Sequence, residues 1–143
     1  MTPVEQLKAR FPYMFMGPNS GIEVHDGWLP IFVEACQQID LVLGANKRGF
    51  HWVQVKEKFG SARFYYRLGG AKRLVVDLID GQGGHALIKR PTKEGDSDAD
   101  RIDAIVDQAE ARTRTTCMVC GAVAETLPYD GCYLTLCSSH APR

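Results

Sequence analysis

The chain has 143 residues, 45% hydrophobic and 24% charged, which suits one compact globular unit with a real core and room for a small appendage. Formal net charge is +0, so bulk charge names no partner. No apolar run approaches the ~18 residues of a membrane span, and the first residues lack the basic-then-apolar pattern of a signal peptide, so a cytoplasmic protein is expected.

In chain order, residues 2–11 carry Val4, Leu7 and Phe11 at helical spacing, and Pro12 stops that short helix. Residues 12–27 read as loop, dense in turn formers at Gly17-Pro18-Asn19-Ser20-Gly21. A strong amphipathic helix is predicted over 28–43, with Trp28, Phe32, Ala35, Cys36, Ile39, Val42 and Leu43 on one face. Asp26 is its expected N-cap, Pro30 falls in the first turn, and Gly44 is the stop. Cys36, on the apolar stripe, reads as a small buried hydrophobe.

Residues 50–57 and 62–68 are rich in β-branched and aromatic side chains and predict a hairpin turning at Phe59-Gly60-Ser61. Gly69-Gly70 then breaks the chain, and 73–79 and 85–90 predict a second strand pair around 80–84. The simplest arrangement is an antiparallel meander of about four strands. A second main helix is predicted over 98–114, with Ser97 and Asp100 in capping-box positions and Ile102, Ile105, Val106 and Ala109 as its apolar stripe. The fold class expected is therefore α+β: a four-stranded sheet packed with two main helices over residues 1–116, and a metal-binding ribbon or knuckle over 117–143.

That last module rests on Cys117-x-x-Cys120 and Cys137-x-x-His140, two short pairs separated by 16 residues. Paired Cys/His ligands of this spacing are how small modules hold a tetrahedral zinc ion. Gly121 after the first pair lets the backbone turn sharply, and Pro128-Tyr129-Asp130-Gly131 supplies a hairpin turn between the pairs. Cys132 is an alternative fourth ligand, but Cys137-x-x-His140 keeps pair spacing. A redox Cys-x-x-Cys opens a helix, whereas here a helix precedes the motif. With four protein ligands the expected Zn2+ is structural, pinning a segment poor in large apolar residues.

Charge is segregated along the chain. Residues 47–73 hold eight basic side chains (Lys47, Arg48, Lys56, Lys58, Arg63, Arg67, Lys72, Arg73) against Glu57, and residues 94–110 hold seven acidic ones against Arg101. One reading is an acidic helix near a basic hairpin, the charges solvated or paired. The other is a basic surface offered to phosphates or to an acidic protein patch, with Trp52 and Tyr65 as aromatic anchors and Lys56, Lys58, Arg63 and Arg67 as the rim. The run from Lys58 to Tyr65 loosely echoes an RNA-stacking strand, although Ser61 and Arg63 depart from that signature. His25, His51 and His85 are scattered singly, and no nucleophile elbow, phosphate loop or metalloprotease motif occurs, so no enzyme is expected.

Gly27-Trp28-Leu29-Pro30, Val53-Gln54-Val55-Lys56-Glu57-Lys58-Phe59-Gly60 with Arg63-Phe64-Tyr65, and the terminal Cys117-x-x-Cys120-Gly121 and Leu136-Cys137-x-x-His140 together resemble an uncharacterised family of small bacteriophage and prophage proteins. Residues 69–95 look like an added hairpin relative to that family, and Cys132 stands where its members often carry Trp. The resemblance implies a phage setting and supplies no activity. By analogy, a small phage protein of this kind is expected to bind a host protein or nucleoprotein complex and modulate it, as anti-CRISPR and other counter-defence inhibitors do. The alternative is a nucleic-acid-binding accessory protein that uses the same basic hairpin.

Overall fold

The computed structural model describes residues 1–69 and 96–142 in full, and within 70–95 only the backbone of three strands. The chain is α+β. Helix α1 spans Pro3–Arg10, where Thr2 and Glu5 cap each other's backbone amides reciprocally. Helix α2 spans Leu29–Leu43 and α3 spans Ser97–Thr113. Strands β1 (His51–Lys58) and β2 (Ser61–Leu68) form the central antiparallel hairpin.

Several local expectations hold. Gly44 ends α2 with φ +62°, its N–H reaching back to the carbonyl of Asp40. Pro30 sits in the first turn of α2. Others need correcting. Asp26 does not cap α2 directly. Asp26–Trp28 instead forms a 3-10 turn that leads into it. The N-cap of α3 is Asp96, whose carboxylate accepts from Ala99 N–H, one residue before the predicted Ser97. The supposed loop at 12–27 also contains a 3-10 turn at Pro12–Phe15. Its segment around Gly21–Glu23 lies along β1, trading backbone hydrogen bonds with Val53 and Val55.

The expected four-stranded meander is not what forms. Strand β3 (Ala71–Lys72) pairs antiparallel with β2, giving a three-stranded sheet in the order β1-β2-β3. Strands β4 (Leu74–Asp80) and β5 (Gly83–Lys89) pair with each other as a separate two-stranded sheet. β3 is only two residues long, and β4 takes β5 as its partner in place of the β1–β2–β3 sheet. Within the predicted turn at 80–84, residues 81–82 lie outside the described residues, as do the side chains of Lys72, Arg73 and His85.

One face of β1–β2 packs on α2 and α3. Phe32, Phe50, Trp52, Phe64 and Tyr66 form its aromatic centre, with the Phe50 and Tyr66 rings stacked 5.3 Å apart. A register shift between Trp52 and Gln54 turns both Trp52 and Val55 inward. Cys36 is fully buried as expected, and burial pushes its thiol pKa up to about 12.

Candidate metal centre

After α3 the chain forms a tight knuckle and then strands β6 (Glu125–Tyr129) and β7 (Cys132–Leu136). Asp130 and Gly131 join them with φ +50° and +82°, the left-handed values of a two-residue primed turn. In the first knuckle Gly121 N–H reaches the Cys117 carbonyl, and Cys117 N–H reaches that of Ala122. In the second, the N–H groups of His140 and Ala141 both reach the Cys137 carbonyl. Each pair thus turns its two donor side chains to the same point.

The ligand atoms of Cys117, Cys120, Cys137 and His140 all lie within 4.8 Å of one another, a group that could hold a metal ion. Cys120 Sγ is 3.7 Å from Cys137 Sγ, and His140 Nδ1 is 3.7 Å from Cys117 Sγ and 3.2 Å from Cys137 Sγ. A tetrahedron built on metal–sulfur bonds of ~2.3 Å has sulfur–sulfur edges of roughly 3.8 Å, so the donors stand at coordination spacing. Cys132 is exposed and is not one of the four.

The electrostatics describe a site built for a cation. Burial opposes ionisation of Cys117, but the backbone groups of Cys137, Cys120 and Val119 bring its pKa down to about 6. His140 beside Cys137 lowers that thiol against burial, and the two sulfurs raise His140 in return. At Cys120 the Ala122 amide favours the thiolate, yet burial and the neighbouring sulfurs outweigh it and push its pKa up. Three clustered thiols resist full ionisation because like charges repel, and a bound cation removes that conflict.

The module is bonded into the rest of the protein. Trp28 is buried, and its indole N–H donates to the Thr116 carbonyl at 2.8 Å. Gly27 N–H donates to the Met118 carbonyl. A Cβ on Gly27 would sit 2.0 Å from the Cys117 carbonyl oxygen, so only glycine lets the chain pass the first knuckle. On the other side, Thr135 Oγ1 donates to the Gly60 carbonyl at 2.5 Å, joining β7 to the β1–β2 turn. Gly27, Trp28, Gly60 and Thr135 are therefore supports of the centre. The Gly-Trp pair before α2 and the Phe59-Gly60 turn are their signals in the sequence, and nothing there marks Thr135.

The other predicted site residues separate. Trp52 is 1% exposed, within the aromatic core, which takes its ring out of reach of a partner. Arg63 is 5% exposed and donates through Nη1 to Ser61 Oγ at 2.8 Å. Lys56, Lys58 and Tyr65 are half-buried, and Arg67 is exposed. Lys56 Nζ stands 5.6 Å from the Tyr65 ring centroid and Lys58 Nζ 5.4 Å from that of Phe59.

The acidic run divides too. Asp103 and Glu110 are buried against β2. Phe64 N–H donates to Glu110 at 2.8 Å, Ala62 N–H to Thr113 Oγ1 at 2.9 Å, and Tyr66 hydroxyl to Asp103 at 3.2 Å. Arg48 forms a two-pronged ion pair with Asp96. No helix among the described residues is long and apolar enough to cross a membrane. No protein-family model matches this chain, and no curated protein or solved structure matches it.

Proposed function

We propose that this chain is a zinc-pinned, non-enzymatic interaction protein of phage type that acts in the host cytoplasm. It binds a host protein or nucleoprotein complex and modulates it, in the manner of a counter-defence, anti-CRISPR-like inhibitor. Zinc is assigned to the four donors because three thiolates and an imidazole at tetrahedral spacing suit it, and soft sulfur ligands disfavour magnesium or calcium. Four protein donors leave a tetrahedral ion no position for water, so the ion holds structure and does no Lewis-acid chemistry.

The observation that carries the binding reading is how the β1–β2 hairpin sorts its side chains. The aromatic residues Phe50, Trp52, Phe64 and Tyr66 are spent on the core, leaving Tyr65 with Lys56, Lys58 and Arg67 toward the outside. A basic strip with a single tyrosine suits an acidic protein surface, where tyrosine and arginine are favoured anchors. A single-strand-binding platform needs successive exposed rings, and here those rings face inward.

The test is a double variant, Lys56→Glu with Lys58→Glu, together with nucleic-acid binding across a salt series. The variant should fold and bind metal as the parent does, and should lose a partner captured from host lysate by the parent. Retention of that partner sinks the assignment of this surface. Tight binding to DNA or RNA that weakens steeply with salt transfers the function to the nucleic-acid reading.

A further inference from the structure

A second polar site lies at the far end of the β1–β2 hairpin from the metal centre. Pro18, Asn19, Ser20, His51, Val53 and Arg67 line a cleft of about 310 Å³. Its wall is the turn-rich segment around residues 17–20, tied to β1 by the hydrogen bond from Ser20 N–H to the Val53 carbonyl. Its floor is the cross-strand pair His51–Arg67. No acidic residue among the described residues lines it.

We propose that this cleft binds a phosphate group, either the free ion or the terminal monoester of a nucleotide. Three features argue for it. First, the exposed Arg67 guanidinium stands across from the His51 imidazole, with no carboxylate of the described residues in the cleft. The Arg67 guanidinium is a fixed positive charge at that position, and an oxyanion seated against it gains a charge-assisted hydrogen bond. Secondly, the polar groups are set to meet a phosphate's oxygens and its P–OH. The His51 Nδ1–H points at the Gly49 carbonyl, 3.1 Å away, which fixes the ring and leaves Nε2 as the second edge. With the proton on Nδ1 that edge is an acceptor, suited to the P–OH of a hydrogen phosphate. Asn19 Oδ1 is already taken by Gly21 N–H at 3.2 Å, so its free end is the amide NH2 group. The Ser20 hydroxyl adds another donor. Thirdly, the volume lies at the lower end of small-ligand cavities, enough for one phosphate and part of what it is attached to. Gly17 packs against the imidazole, where a Cβ would meet Nε2 at 3.5 Å, and so helps hold the ring in the cleft.

The cleft shares Arg67 with the basic strip but contains neither Lys56 nor Lys58, so the two assignments can fail independently. The experiment is an NMR titration of the zinc-loaded protein with inorganic phosphate, with 5′-AMP and with adenosine, following the His51 ring and Arg67 side-chain resonances. Phosphate and AMP should both give saturable shifts, and adenosine none. Arg67→Gln should weaken the response about tenfold or more, since it removes the bidentate charged donor, while the Lys56→Glu, Lys58→Glu variant should keep it. A response to phosphate alone identifies the free ion as the ligand, and a stronger response to AMP identifies a nucleotide. Silence with both, an equal response to adenosine, or full binding by Arg67→Gln overturns the proposal.

Discussion

Gly27 shows how one residue without a side chain can govern a metal site. Its importance comes from space, because Cys117 carbonyl oxygen and Gly121 nitrogen crowd the place a Cβ would take. The obstructing atoms are backbone atoms of the ligand knuckle and cannot swing aside. Gly27→Ala should therefore cost about 3 kcal/mol and weaken metal retention together, checked by thermal melts and metal content of the purified variant. Asp40 governs pH response instead. The Tyr13 hydroxyl donates to it at 2.5 Å and Lys47 at 2.9 Å, and these contacts, Tyr13 first, hold its carboxyl below the usual range despite partial burial. A depressed carboxyl contributes stability that is full above its unfolded value and lost as pH falls through the folded one. Asp40→Asn should cost about 1 kcal/mol at neutral pH and flatten the loss of melting temperature between neutral and strongly acid pH. An unchanged acid limb would refute that assignment.

At the scale of elements, α3 does more than cover the sheet. It runs along β2 where the two-residue β3 leaves the ladder unextended, and its side chains take the place of a neighbouring strand. Thr113 and Glu110, three residues apart, meet the alternate amides of Ala62 and Phe64. A sheet edge closed in this way is shielded from pairing with another chain. Removing the acceptor leaves a buried amide poorly satisfied, which costs ~1–3 kcal/mol. Glu110→Ala should lower the urea midpoint accordingly, whereas Glu110→Gln, which keeps an acceptor oxygen, should lose less. Equal effects of the two variants would argue against the hydrogen bond as the cause.

Over the whole molecule, the candidate metal centre sits at a junction. Its first knuckle rests on Gly27 and Trp28 ahead of α2, and its second leads from β7, which grips the β1–β2 turn at Gly60. That turn holds Phe59 at φ +55°, a conformation only a few per cent of non-glycine residues adopt, so it depends on its surroundings. A metal bound at the proposed site should therefore support the hairpin and α2 as well as its own 25 or so residues. Chelation should lower the melting temperature by roughly 10 °C or more, and mild acid should do the same because protons compete for the thiolates. Protein that melts unchanged with a strong chelator would remove the structural-metal reading. Amide exchange at Phe59 and Gly60 should rise on chelation, a change a self-contained module would not transmit.

The sequence by itself determined what depends on near neighbours along the chain. The α2 stripe, the Gly44 stop, the β1–β2 and β6–β7 turns and the two Cys/His pairs are all set by spacings of a few residues, so they were legible. Only the tertiary structure decided what depends on depth and distant partners. Alternation says that a strand has two faces, but Trp52 went inward through a register shift that spacing does not reveal. A count of charges carries no depth, so Arg63, Asp103 and Glu110 read as surface residues and are buried. The break of the meander into separate sheets turned on which edges found partners, a non-local choice. Gly27 has no side chain to advertise the knuckle pressed against it, because the closeness of two backbones is written only in three dimensions.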